Sequence, residues 1–307
     1  MRTVYLGTSP FAATVLRRLC EAGHAPALAI TRPDAPRGRG RRTAPPAVAE
    51  AARTLGLPLE QPQNVNDESV RARIAAARPD VVVICAYGAL VRDPLLSEHP
   101  MLNVHPSLLP RWRGAAPIER AIEAGDAGTG VSIMRPTAEL DAGPVCLAGA
   151  EAIEPDDDYG SLSARLAELS GVLLVRALEE SPDFVPQPEE GVTVASKVEA
   201  VDRELTPDRR GIELERRVRA LRPHIGTYLY TPDGERLGVR RVAVAHGAEG
   251  LPLTGPPGRL SAHDGRLLWS VADGALELLE VQPAGGRPMG GPSYLRGRGA
   301  AFARSAA

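Results

Sequence analysis

Asn103 and His105 lie two positions apart in the segment LNVHPSLLP, and Asp141 follows later in the turn LDAGP. In a β-strand, residues two apart point to the same face, so this amide and this imidazole can act on one group. An amide donor and an imidazole stabilise a developing oxyanion, and a carboxylate orients or relays a proton. The same residue types also satisfy backbone groups at strand ends and in turns. Taken alone, they leave both interpretations open, with Asn103, His105 and Asp141 as candidate catalytic residues.

Several other kinds of catalytic centre have no support in the sequence. No serine lies in a G-x-S-x-G segment, so acyl-enzyme chemistry of the hydrolase type is not indicated. The remaining histidines lack the spacing of metal ligands. Three cysteines are too few and too scattered for a disulfide framework or a thiolate metal site. We therefore expect no metal.

The segments that must position the candidate residues alternate between strand-like and helix-like patterns. Short apolar runs predict strands at 3–6, 27–31, 57–60, 81–85, 101–104 and 131–134, with helical periodicity at 47–55, 68–77 and along 162–173. Strands that alternate with helices predict an α/β fold with a Rossmann-like, doubly wound and mostly parallel sheet. In such folds ligands bind at the carboxyl edge of the sheet, where Asn103 and His105 are expected. The first turn, LGTSPF, lacks the dinucleotide fingerprint G-x-G-x-x-G.

The C-terminal part of the chain has a different pattern. A segment rich in Pro and Glu, PDFVPQPEEGV, indicates a linker, and short β-like runs separated by Gly and Pro turns follow one helical segment at 212–221. This pattern predicts a small β-barrel resembling an OB fold. We assign residues 1–185 to a catalytic domain, 186–204 to the linker and 205–307 to the β-barrel domain. Residues 297–307 are expected to form a loosely ordered tail.

Composition limits the class of protein. With 43% hydrophobic and 24% charged residues, the chain is of the globular type, which excludes a disordered, collagen-like or coiled-coil protein. No run approaches the roughly 18 apolar residues of a membrane span. The N-terminal segment MRTVYLGTSPF has no features of a secretory signal. We therefore expect a cytoplasmic protein without a membrane partner.

Charge is distributed unevenly along the chain. Residues 205–307 contain 15 arginines and 10 acidic residues, and residues 32–46 contain five arginines and one aspartate. Two basic regions in an otherwise acidic chain suit a polyanionic partner that contacts the protein in two places. A merely solvated surface explains the same numbers, so composition alone leaves both readings open.

The segment NVHPSLLPRWRGAAPI closely resembles the signature of the methionyl-tRNA formyltransferases, and wider formyltransferase relatives share the Asn-x-His and the later Asp. The resemblance covers nearly the whole chain, through GTSPFAA, TRPDAPRGRGRR, VVICAYGAL, GDAGTGVSIM, LDAGP and VQPAGGRPM. It implies the formyltransferase fold for the first domain and 10-formyltetrahydrofolate as the formyl-donor co-substrate. It also implies that the acceptor is the amino group of methionine on initiator tRNA.

The resemblance also implies roles for particular residues. Asn103, His105 and Asp141 become the catalytic group of a direct transfer, without a covalent formyl-enzyme. The folate contacts are expected at the segment that follows His105 and at the loop that follows the 81–85 strand: Ser107, Leu108, Leu109 and Pro110, with Ala86, Tyr87, Gly88 and Leu90.

The resemblance gives the arginine-rich loop a function as well. Guanidinium groups pair with phosphates and stack on bases, so this loop is expected to grip the acceptor stem of the tRNA. Arg39 lies between two glycines and is the expected discriminator near the first base pair, while Arg37, Arg41 and Arg42 are expected phosphate contacts. The basic C-terminal domain is expected to hold the tRNA body. RELTP at 203–207 and RPHIG at 222–226 depart from the pattern of relatives, which affects only that last contact.

Four alternatives remain at this stage. A formyltransferase that acts on a nucleotide sugar has a similar second domain but no need of the arginine-rich loop. A formyltransferase acting on a glycinamide ribotide needs only the first domain, and a formyltetrahydrofolate hydrolase needs no basic second domain. An RNA-binding module on an inactive enzyme scaffold does not need Asn103, His105 and Asp141 together. A monomer is the expected assembly.

Overall fold

A computed structural model describes residues 1–37, 42–245 and 255–303. The chain divides into two compact units. The first contains Met1–Pro117, Gly128–Ala152 and Ser163–Ser196, and the second contains Ile118–Ala127, Ile153–Leu162 and Lys197–Ala307. The limits predicted above for the domains and linker stay a prediction.

The first unit is built around a seven-stranded sheet. Up to Ala195 the strands are β1 (Thr3–Gly7), β2 (Leu28–Ile30), β3 (Ala35–Arg37), β4 (Arg42–Ala44), β5 (Leu59–Glu60), β6 (Val81–Cys85), β7 (Met101–His105), β8 (Arg113–Gly114), β9 (Gly128–Met134), β10 (Val145–Ala152) and β11 (Val194–Ala195). The helices over the same range are α1 (Pro10–Glu21), α2 (Ala47–Thr54), α3 (Glu68–Ala76), α4 (Leu95–Glu98), α5 (Pro117–Ala124) and α6 (Tyr159–Glu180).

The strand order of this sheet is β10-β9-β7-β6-β1-β2-β5. The five strands from β7 to β5 are parallel, and β9 and β10 add an antiparallel edge. Four of the five residues of β6 are buried, as expected for a strand covered on both faces. The doubly wound, mostly parallel sheet predicted from the sequence is confirmed. Its carboxyl edge carries the loops that follow β1, β6 and β7, which is where ligands bind in such folds.

Sequence signals set the first turn at this edge. Ser9 caps α1 by accepting a hydrogen bond from the backbone nitrogen of Ala12 at 3.2 Å, and Pro10 opens the helix. Both residue types favour a helix start, because Ser satisfies a free N–H and Pro has none to satisfy. The turn after β1 is therefore short and fixed.

The second unit contains an antiparallel sheet packed against α7 (Gly211–Leu221) and α8 (Gly291–Ala303), with a 3₁₀ turn at Val201–Arg203. Its strand order is β12-β13-β16-β15-β14, and β17 pairs with β16. These strands are β12 (Thr227–Tyr230), β13 (Arg236–Ala245), β14 (Leu260–His263), β15 (Arg266–Val271), β16 (Gly274–Pro283) and β17 (Met289–Gly290). Leu214, Trp269, Leu278 and Tyr294 belong to its buried core. The predicted β-rich C-terminal domain is confirmed.

Two elements differ from the sequence analysis. The expected loose tail at 297–307 was wrong for its first seven residues, because α8 extends to Ala303. The buried Tyr294 and the half-buried Leu295 anchor that helix on the core, and alanines sustain it. Strand β10 was not predicted, since its small residues, VCLAGAEA, lack a clear apolar alternation. Across the described ranges, no helix combines the length and hydropathy needed to cross a membrane.

Candidate active site

Asp141 lies at the centre of the three candidate catalytic residues. Asn103 Nδ2 donates to Asp141 Oδ1 at 3.3 Å, and His105 Nδ1 lies 3.6 Å from Asp141 Oδ2. The backbone nitrogen of Gly114 donates to the same Oδ2 at 2.9 Å. Asn103 and His105 lie at the carboxyl end of β7, and Asp141 lies in the turn between β9 and β10. The structure therefore brings together the three residues that the sequence analysis singled out.

The turn that carries Asp141 has an unusual backbone. Asp141 has a φ of +46°, in the left-handed region that L-residues rarely occupy. Two positions later, a Cβ on Gly143 would lie 1.8 Å from the carbonyl oxygen of Arg135, so only glycine fits there. A backbone held in a sparsely populated region needs surrounding contacts to keep it there. The backbone conformation of this turn is therefore fixed by the surrounding residues rather than by the intrinsic preference of Asp141.

His105 is almost fully buried, with 5% of its side chain exposed. Its Nε2 lies 2.8 Å from the carbonyl oxygen of Trp112, and because a carbonyl only accepts, Nε2 carries a hydrogen. Its Nδ1 faces the Asp141 carboxylate. The ring therefore lies between the Trp112 carbonyl and the Asp141 carboxylate.

A cavity of about 550 Å³ opens beside Asn103 and Asp141. Its walls come from residues 89–93 after β6 and residues 136–141 before β10, together with Ile84 and Leu96. Leu90 and Leu140 are more than half exposed and supply apolar surface, whereas Arg92, Asp93 and Glu139 supply charge. A mostly apolar cavity with a few converging polar groups is the usual form of a small-molecule site.

The predicted folate residues after β6 fall into two groups. Leu90 lines the cavity, while Ala86 and Gly88 are exposed at the same loop. Tyr87 is buried in the apolar core, and its carbonyl oxygen accepts a hydrogen bond from Thr8 Oγ1 at 2.6 Å. Its backbone, rather than its ring, faces the edge of the sheet.

The predicted folate residues after β7 form a tight loop. Ser107 is fully buried, and its Oγ donates to the carbonyl oxygen of Arg111 at 2.6 Å. Leu108 is exposed, and Leu109 and Pro110 are half-buried. Among the described residues, none of these four lines the 550 Å³ cavity. Their role in folate binding stays a prediction.

The arginine-rich loop is described only in part. Arg37 and Arg42 are paired across the β3–β4 hairpin. Arg39 and Arg41 lie outside the described residues. The contacts of all four arginines stay a prediction.

Sequence reasoning missed a segment that supports the site, residues 185–195, which we call the strap. Its strand β11 pairs in parallel with β8, and Thr193 Oγ1 accepts from the backbone nitrogen of Trp112 at 2.8 Å. Gln187 donates to the backbone of the Asp141 turn. The strap was interpreted as part of a linker because Pro and Glu dominate it. No local pattern in PQPEEGVTVA indicates its long-range partners.

Ser132 was also missed. Its Oγ donates to the carbonyl oxygen of Ser107 at 2.8 Å and accepts from the backbone nitrogen of Leu109 at 3.2 Å. This buried side chain on β9 therefore fixes the loop that follows His105. A single serine in an apolar strand gives no sequence signal for that contact.

The cysteines offer no nucleophile at this site. Cys85, at the end of β6, is fully buried, and burial raises the pKa of its thiol to about 12. Burial also raises the pKa of the Cys20 and Cys146 thiols. Because the thiolate is the reactive form, all three are poor nucleophiles at neutral pH. No group of three or more His, Cys, Asp or Glu residues suited to a metal ion is found within the described ranges.

Comparisons with known proteins cover nearly the whole chain. The family model described as "Formyl transferase" matches residues 1–178, and the model "Formyl transferase, C-terminal domain" matches residues 197–299. The methionyl-tRNA formyltransferase of Dechloromonas aromatica is 39% identical over 97% of this chain and 96% of its own length. That of Halorhodospira halophila is 41% identical over the same shares of the two chains.

Solved structures show the same fold at low identity. The methionyl-tRNA formyltransferase from Clostridium thermocellum superposes with a TM-score of 0.60 at 13% identity, over 81% of this chain and 95% of its own. A HypX variant from Aquifex aeolicus gives a TM-score of 0.64 at 18% identity, over 96% of this chain and 47% of its own.

Proposed function

The chain belongs to the methionyl-tRNA formyltransferase family, and we propose that Asn103, His105 and Asp141 carry out its reaction at the 550 Å³ cavity. The protein formylates the amino group of methionine on initiator tRNA. One observation supports the assignment of the site above all. Asn103 and Asp141 line the same cavity within hydrogen-bonding distance of each other. His105, which does not line the cavity, lies 3.6 Å from the Asp141 carboxylate.

The donor that fits this cavity is 10-formyltetrahydrofolate, as a co-substrate. The cavity has the size of a small-molecule site, and its exposed leucines, Leu90 and Leu140, offer apolar contact to a ring system. Asn103 and Asp141 add polar groups to the same cavity. A formyl group placed there is next to an amide donor and a carboxylate, which are the groups its transfer needs.

Each residue has a distinct task in a direct transfer. Asn103 donates from Nδ2 to the formyl oxygen as negative charge develops on it. His105, in its protonated form, places positive charge beside the Asp141 carboxylate. Asp141 accepts a proton from the attacking amine, and that proton passes to N10 of tetrahydrofolate as the bond between carbon and N10 breaks. One carbon–nitrogen bond forms, one breaks, and no formyl group becomes attached to the protein.

The tRNA contact is proposed at the arginine-rich loop. Arg37 and Arg42 are paired across one hairpin, and guanidinium groups bind phosphates well. Arg39 and Arg41 complete the set by sequence. We assign these four arginines to the acceptor stem, with Arg39 as the discriminating residue.

Single-turnover formylation tests the assignment of the catalytic residues. Asn103→Ala, His105→Ala and Asp141→Asn should each slow the chemical step about 10²- to 10³-fold, because each removes stabilisation of the transition state. The Kd for methionyl-tRNA should change less than threefold, since the acceptor stem is held elsewhere. Rates within threefold of wild type in Asn103→Ala and Asp141→Asn would contradict the proposal.

A further inference from the structure

Gln187, in the strap, joins the turn that carries Asp141 to the loop that carries Gly114. Its Nε2 donates to the carbonyl oxygen of Asp141 at 2.8 Å and to that of Gly143 at 2.7 Å. Its Oε1 accepts from Arg113 Nε at 3.0 Å and from Arg113 Nη2 at 2.8 Å. An amide has two hydrogens to donate and two lone pairs to accept with, so Gln187 uses its full capacity here.

These contacts belong to a connected set of hydrogen bonds that includes the Asp141 carboxylate. Gln187 holds the backbone of Asp141, Arg113 holds Gln187, and Gly114, the next residue, holds the Asp141 carboxylate through its backbone nitrogen. The backbone of Asp141 is in the left-handed region, and such a conformation persists only where the surroundings fix it. Gln187 fixes this backbone conformation through its hydrogen bond to the carbonyl oxygen of Asp141.

We propose that Gln187 is a positioning residue for formyl transfer, acting through Asp141. Gln187 contacts the backbone of the Asp141 turn and not the reacting atoms. It thereby sets the position of the Asp141 carboxylate relative to Asn103 and His105. This inference rests on the proposed role of Asp141. A displacement of about 1 Å at a reacting group is enough to lower a rate about a hundredfold.

Two substitutions separate the contacts of Gln187. Gln187→Glu replaces the donating nitrogen by an oxygen that faces two carbonyl oxygens, while Arg113 keeps its acceptor. Gln187→Met keeps the length of the side chain and removes every hydrogen bond. Gln63→Glu makes the same charge change at an exposed glutamine and serves as the control.

The measurement is steady-state formylation of methionyl-tRNA at 25 °C, with each Gln187 variant made alone and in the Asp141→Asn background. We expect kcat to fall at least tenfold in both Gln187 variants, with KM for tRNA and for 10-formyltetrahydrofolate within threefold. In the Asp141→Asn background, the further fall should be less than threefold, because the group that Gln187 positions is already disabled. Gln63→Glu should match wild type.

Two results would overturn the inference. One is a kcat within threefold of wild type in either Gln187 variant. The other is a fall in the Asp141→Asn background as large as in wild type, which indicates a general fold defect rather than action through Asp141. The proposed function fails separately, if Asp141→Asn alone keeps its kcat.

Discussion

Asp141 receives its polar contacts from residues that are far apart in the chain. Asn103 and His105 come from β7, Gly114 from β8, and Gln187 from the strap. A carboxylate held on several sides does not have to reorganise during the reaction, which is the condition for strong electrostatic catalysis. The same constraint fixes the distance to His105. Asp141, which in the sequence is only a carboxylate in a turn, is thus the residue that the other site residues contact.

Cys85 gives a prediction for stability at high pH. Its folded-state pKa is about 12, above the value of 9.0 for a free thiol, so the folded protein keeps a proton that the unfolded chain releases. Its contribution is fully present below pH 9 and is lost as the pH rises toward 12. From pH 9 to 11, the free energy of unfolding of wild type should fall by about 1 kcal/mol per pH unit more than that of Cys85→Ala. Urea unfolding at each pH measures both slopes, and equal slopes would refute the prediction.

The sequence allowed Asn103, His105 and Asp141 to be predicted as one group, but not the residues that support them. Asn103 and His105 share a face because a strand has a period of two, and that rule needs only the sequence. Gln187 lies 46 residues from Asp141, and Ser132 lies 25 residues from Ser107, so their contacts depend on the folded sheet. Tyr87, one of the predicted folate residues, belongs to the buried core cluster, and its role in folate binding stays a prediction.

At the scale of elements, the strap and the loop at 110–116 depend on one another. The backbone nitrogens of Ala115 and Ala116 donate to the carbonyl oxygen of Ala195, and that of Arg113 donates to Thr193. These bonds extend the β8–β11 pairing into a continuous contact. Since the same loop supplies the Gly114 nitrogen and the Trp112 carbonyl, the strap sets the position of both groups that contact Asp141 and His105.

Gly114→Ala tests that dependence. Gly114 has a φ of +120°, and a Cβ there would lie 2.7 Å from the carbonyl oxygen of Ala195. The strap must therefore shift, and we expect kcat to fall at least tenfold, with a loss of about 1–3 kcal/mol in the free energy of unfolding. Steady-state kinetics and urea unfolding measure the two effects.

Gly56→Ala is the matched control. Gly56 has a φ of +68°, but its Cβ would meet no atom within 4 Å. It should cost about 1–2 kcal/mol of stability through backbone strain alone and leave kcat unchanged. If Gly114→Ala behaves like Gly56→Ala in both measurements, the strap does not determine the site.

Element prediction succeeded where apolar periodicity was strong. The run at 81–85 became β6 with the same limits, and the helical segment at 212–221 became α7. It failed where tertiary contact replaces a local signal. Strand β10 forms because β9 offers it an edge, and α8 continues to Ala303 because Tyr294 is buried in the core.

At the scale of the whole molecule, the uneven charge of the sequence bears on the kind of acceptor. The C-terminal model covers residues 197–299, which include most of the basic C-terminal part of the chain. Relatives about 40% identical over nearly their full lengths are methionyl-tRNA formyltransferases. The basic C-terminal segment at 205–307 and the arginine-rich loop at 32–46 suit a reaction whose acceptor is a polyanion. A nucleotide-sugar acceptor has no use for that loop, which makes this alternative the weaker one.

The most direct measurement is a formylation assay with 10-formyltetrahydrofolate and methionyl-tRNA, run in parallel with initiator tRNA, with elongator tRNA and without tRNA. We predict formyl-methionyl-tRNA from the initiator, at least tenfold less from the elongator, and no loss of formyl from folate without tRNA. In Arg39→Ala the ratio of initiator to elongator formylation should decrease. Loss of formyl at the same rate in all three reactions would indicate a hydrolase, and tight tRNA binding without transfer would indicate an inactive scaffold; either result would contradict the account.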